Sequence, residues 1–276
     1  NAECGRHRLC CLSRVSSRTE ANARSAPPVI TVDLPSSEAL AAASTAFTFA
    51  LVGIGLLIVG SAVAAATWAR SLNGWALGGV SFVLSQTAQV VALFLFGPLI
   101  AAFTSAPLQE ASRAIILSTA ARRVRGERPS TAFGFGHGAI DLLTSSLIPT
   151  LSAVIILGGV RDGSIFVGLD AEVTEKVNAV AVFLTSQSLL SAALLIVQGA
   201  LMLGLHALLT AIVLRVVVRG GGARTIGRGL LLPIAAHTPV AVVRTLFPMA
   251  TTPVLLGALL VAALVYRRGQ GVMAES

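Results

Sequence analysis

Charged residues divide the chain into long apolar runs. None occurs between Glu38 and Arg70, between Arg70 and Glu110, between Lys176 and Arg215, or between Arg244 and Arg267. About 20 residues at a rise of 1.5 Å cross a hydrocarbon core of about 30 Å, so each interval has room for a membrane helix. The runs are continuous rather than alternating, which argues against a barrel. They predict an all-α, polytopic membrane helix bundle with about seven spans, at 44–69, 75–103, 107–121, 132–160, 192–216, 229–248 and 252–266. The run 177–214 is too long for one crossing. The polar stretch Thr185-Ser186-Gln187-Ser188 predicts a break there, leaving 177–190 as a re-entrant or interfacial segment. Residues 1–43 are rich in Arg and Ser and lack a long apolar run, so they read as a disordered N-terminal extension. Residues 44–268 then form the integral membrane domain, and 269–276 a C-terminal tail.

Composition agrees: 55% of the 276 residues are hydrophobic and 12% charged, against about 25% charged in a soluble domain. The net charge of +8 comes from arginines clustered between apolar runs. That is the positive-inside pattern and not a nucleic-acid groove; aromatic stacking platforms, at 5% aromatic content, are also lacking. Arg122, Arg123, Arg125 and Arg128 form one cluster, Arg215, Arg219, Arg224 and Arg228 another, and Arg267 and Arg268 follow the last span. With seven spans all three share one side, taken as the cytoplasmic side of a prokaryotic plasma membrane, and the acidic loop 161–176 falls on the other. Cys4, Cys10 and Cys11 all lie in the tail and supply no ligand to the membrane body.

Among the acidic residues only Glu110 and Asp141 fall inside apolar segments. Arg113, Arg244, His137, His206 and His237 accompany them. An ionisable group at bilayer depth costs a few kcal/mol, so such residues face the protein interior and normally have a task. Glu110 and Arg113 are three residues apart and share a helix face, which suits an ion pair. His137 and Asp141 are four apart, a spacing that lets both reach one metal ion or lets the carboxylate orient the imidazole. His237 and Arg244 again share a face. Gln109 and Gln198 read as helix–helix contacts. Glycines around His137, in Phe133-Gly134-Phe135-Gly136-His137-Gly138, leave room for a neighbouring helix or a substrate backbone.

The order Gln109-Glu110-Ala111-Ser112-Arg113, then Gly134-Phe135-Gly136-His137-Gly138-Ala139-Ile140-Asp141, then His206 and His237 resembles the YhfC-type intramembrane metalloprotease family. That family is related to the CAAX-processing and PrsW-like membrane peptidases. The similarity begins at Gly78-Gly79-Val80-Ser81-Phe82 and runs to His237. Gln109, Gln198 and Ala241 stand where the family pattern has acids, Gly199 stands where it has Arg, and Asp141 replaces a longer Glu. The resemblance implies a metallopeptidase, with His137, His206 and His237 holding zinc, Asp141 as a fourth ligand or as the group that orients a ligand, and Glu110, paired with Arg113, acting as general base. A metal-free version has Glu110 and His137 activating water, with His206 or His237 stabilising the oxyanion. The implied partners are the lipid bilayer and a membrane-embedded or membrane-adjacent protein or peptide substrate. A different class of function is also compatible with buried histidines: a non-catalytic relative, either a pseudoprotease or a metal or proton transporter. Neither HExxH nor Gly-x-Ser-x-Gly is present, so other protease classes gain no support.

Overall fold

The computed structural model describes residues 34–121, 124–219, 223–247 and 250–274. Among them the chain is helical and contains no strand. The helices are α1 (Ser37–Thr67), α2 (Leu72–Ser118), α3 (Glu127–Leu142), α4 (Ile148–Asp162), α5 (Ala171–Thr185), α6 (Leu189–Arg219), α7 (Ala223–Leu246) and α8 (Thr251–Ala274). The continuous helical stretches Ser37–Thr67, Leu72–Ser118, Glu127–Asp162, Leu189–Arg219 and Thr225–Leu246 are long and apolar enough to cross a membrane, and Thr251–Arg267 is a shorter apolar helix. The chain is an integral membrane helix bundle. The three tail cysteines lie outside the described residues.

Some boundaries move from their sequence positions. Helix α1 begins at Ser37, inside the segment read as a disordered extension, because the Ser36 side chain accepts from the Ala39 amide and caps it. Helix α8 continues through Ala274, past the tail boundary at 269. The break assigned to 104–106 lies instead at Gly97, which has φ 81° and precedes Pro98. Glycine tolerates that positive φ, and the proline supplies no amide to continue the ladder. Ser105 Oγ donates to Gln89 Oε1 at 3.2 Å across this bend, although 16 residues of straight helix would separate them by about 24 Å. The two halves of α2 therefore double back on each other, with the turn at Gly97 and not at 104–106. The expected break after Thr185 is present, and α5, at 15 residues, is too short to cross.

Helix α3 packs between α2 and α6, and glycine makes that possible on both sides. A Cβ on Gly78 would overlap the Phe133 carbonyl, and one on Gly136 the Trp75 carbonyl, so α2 and α3 meet backbone to backbone. Gly134 lies against the Ala207 backbone of α6, and a Cβ on Gly138 would come within 3.0 Å of the His206 ring. The space beside His137 read as room for a substrate backbone is thus filled by two neighbouring helices. Gly136→Ala should lower stability by about 3 kcal/mol by forcing α2 and α3 apart. Gly158→Ala, where a Cβ meets nothing within 4 Å, should leave the thermal unfolding midpoint in detergent unchanged.

Candidate active site

The glycine-lined crossings let polar side chains from four helices meet in the bundle core. Glu110 and Arg113 come from α2, His137 and Asp141 from α3, His206 from α6, and His237 and Arg244 from α7. Apart from Arg244, all are at most 2% exposed. Arg113 Nη1 donates to Glu110 Oε1 at 2.8 Å and to Oε2 at 2.6 Å, the ion pair their spacing predicts. Arg113 Nη2 donates to His206 Nδ1 at 2.9 Å. A guanidinium cannot accept, so His206 Nδ1 is the acceptor, and in the neutral ring Nε2 carries the proton that it shares with Asp141 Oδ2 at 3.2 Å. His237 Nδ1 donates to Glu110 Oε1 at 3.0 Å.

The far end of the network is closed by Arg244. Its Nη1 and Nη2 reach Asp141 Oδ1, each at 3.2 Å, and Nη1 also reaches Oδ2 at 3.1 Å. The Arg244 side chain is 34% exposed, so it spans from the boundary of the bundle to a carboxylate that is 2% exposed. Asp141 therefore serves His206 and Arg244; its predicted partner on the same helix, His137, turns elsewhere. His137 Nδ1 lies 2.7 Å from Ser81 Oγ, and His137 Nε2 donates to Gln109 Oε1 at 3.2 Å. Its ring packs edge-on against Phe82, 5.2 Å between centroids. The three imidazoles follow one another, His137 to His206 at 4.9 Å and His206 to His237 at 5.3 Å.

Two of these roles were hidden in the sequence. Ser81 carries no charge and lies within a small-residue run, so only its place in that run hinted at its value. Gln109, read as helix glue, also touches the site, since besides Ser105 it holds His137. Gln198 does bridge helices, donating to Thr252 at 2.7 Å.

The YhfC intramembrane metalloprotease family model matches residues 40–262. The chain belongs to this family. No curated protein and no solved structure matches it. Membership implies a metal cofactor and a membrane substrate. By kind, its donors fit a metal such as zinc: three imidazoles and carboxylates in a water-poor core. In their present pairing, no three His, Cys, Asp or Glu side chains among the described residues are grouped as a coordination sphere. His206 is engaged through both nitrogens and Asp141 is held by a guanidinium.

The Glu110–Arg113 pair should be the most sensitive element of this site. Removing one member of a fully buried ion pair strands the other and costs about 3–5 kcal/mol. Arg113→Met should show that loss in detergent unfolding. The Glu110→Gln, Arg113→Met double variant should lose less than the sum of the two single variants, because neither charge is then left alone.

Proposed function

We propose that this chain is a membrane endopeptidase that hydrolyses peptide bonds of proteins embedded in or lying beside the bilayer, with Glu110 as the general base. The observation that carries this reading is the meeting of Glu110, Arg113 and three histidines, from four helices, in one site sealed from water. Glu110 takes the proton of a water as the water oxygen attacks the scissile carbonyl carbon. The resulting oxyanion needs a donor. Arg113 Nε is buried without an acceptor among the described residues, which suits it to that position. The C–N bond then breaks as the proton held by Glu110 passes to the leaving nitrogen. His237 orients Glu110 through Nδ1.

A bound zinc would acidify the attacking water, so that Glu110 could take its proton at neutral pH. His137, His206, His237 and Asp141 are the residues proposed to hold the ion. For His206 and Asp141 to serve, their contacts to Arg113 and Arg244 must yield.

One observation favours a second reading, a non-catalytic relative. Two carboxylates face two guanidiniums in the network, and the neutral Gln109 amide closes off His137. A polar cluster this well satisfied can persist as a structural device. Glu110→Gln separates the readings. It should reduce cleavage of a membrane substrate by about a thousandfold while substrate capture is retained; a wild-type chain that captures substrate and never cleaves it supports the non-catalytic reading. Purified protein should bind about one zinc per chain, His137→Ala should abolish that binding, and Arg244→Leu, by releasing Asp141, should strengthen it. Full proteolysis by protein stripped of metal would remove zinc from the proposal.

A further inference from the structure

A cavity lies at the arginine-rich end of the bundle, apart from the buried network. There the start of α3, the end of α6 and Tyr266 of α8 border an open cavity of about 220 Å³. Arg215 and Arg219 line it on one side and Tyr266 on another, while Leu214 and Val218 make part of its wall apolar. Its framework is built rather than incidental. The Arg215 guanidinium stacks over the Tyr266 ring at 3.9 Å and donates to the Tyr266 carbonyl at 2.8 Å. The Tyr266 hydroxyl donates to Glu127 Oε1 at 2.7 Å. These contacts tie together three helices separated by long stretches of sequence. The first turn of α3, at Gly126 and Glu127, has no side-chain cap, and both residues line the cavity.

We propose that this cavity binds the phosphodiester headgroup of an anionic phospholipid. Two guanidiniums against one carboxylate, Glu127, leave the lining net positive, and the positive end of the α3 dipole adds to it. Guanidinium is the side chain best matched to phosphate oxygens. The apolar wall distinguishes this site from one for a free anion, because Leu214 and Val218 lie beside the guanidiniums and Val218 is 56% exposed, offering contact to an acyl chain. Basic pockets between helices at the membrane surface take lipid headgroups in this way. The bound lipid would brace α3 and α6, which also carry His137, Asp141 and His206.

The test uses the full chain in a neutral detergent. Short-chain phosphatidylglycerol should raise the thermal unfolding midpoint by about 5 °C. Phosphatidylcholine of equal chain length and inorganic phosphate should shift it little. The R219Q variant, whose altered side chain is exposed, should lose at least half of the shift, and R215Q/R219Q should lose all of it. R228Q removes an exposed arginine outside the cavity and should keep the shift. An equal shift from inorganic phosphate would overturn the lipid assignment in favour of a free anion. An equal shift from phosphatidylcholine, or in R215Q/R219Q, or a loss in R228Q as large as in R219Q, would overturn the site.

Discussion

The ion pair between Glu110 and Arg113, 2.6 Å apart with neither side chain exposed, is the constraint on which the rest of the bundle depends. Moving either charge out of water costs several kcal/mol, and the pair recovers this only when the remaining donors and acceptors are also met. Each added partner brings in another helix. His237 bonds Glu110 from α7, and His206 bonds Arg113 from α6. The second nitrogen of His206 needs Asp141 from α3, and Asp141 in turn needs Arg244. Satisfying one buried charge thus fastens four helices together. In lipid, where apolar burial does little to hold helices against each other, such polar contacts and close packing carry the association.

Close packing is what allows the contacts to form. Polar side chains a few Å long meet in a core only if the helix axes approach closely, and the glycines of α2 and α3 permit that. Gly78 and Gly136 open one crossing; Gly134 and Gly138 open the other. The glycine-histidine segment therefore has a mechanical meaning: its glycines draw in the two helices that deliver Ser81 and Gln109 on one side and His206 on the other.

Which residues gather in the buried network was legible in the sequence because depth and charge are properties of position along the chain. Glu110, Asp141, Arg113 and the three histidines stand out wherever the spans are drawn, and the i,i+3 spacing of Glu110 and Arg113 already implies their bond. The pairings between helices were not legible. Helical spacing brought His137 and Asp141 together, yet a residue on a crowded face pairs with whatever the neighbouring helix presents, and that was His206. The pairing of Arg244 was hidden too, since its position near a helix end does not reveal an unmet carboxylate across the bundle. The turn at Gly97 was displaced for a local reason. The apolar run continues through it unbroken, and only the Gly-Pro pair marks the backbone angle that ends one half of α2.

Gln109, neutral where the resemblance implies an acid, fits this electrostatic arrangement. With Arg113 and Arg244 inside the network, two carboxylates already balance two guanidiniums. A third carboxylate at position 109 would sit against His137 at the depth where Gln109 now accepts its hydrogen bond, and it would need a further cation. Gln109 keeps the hydrogen bond without the charge. A divalent ion entering the same core would carry the opposite imbalance, two positive charges beyond what the carboxylates can offset. The arginine free to leave is the one with a path to solvent, and that is Arg244, whose side chain is 34% exposed, whereas Arg113 is fully enclosed. On the proposed reading, an exchange between the hydrogen-bonded network and a metal-bearing one would begin at the Arg244–Asp141 contact, and the Arg113–His206 contact would yield after it.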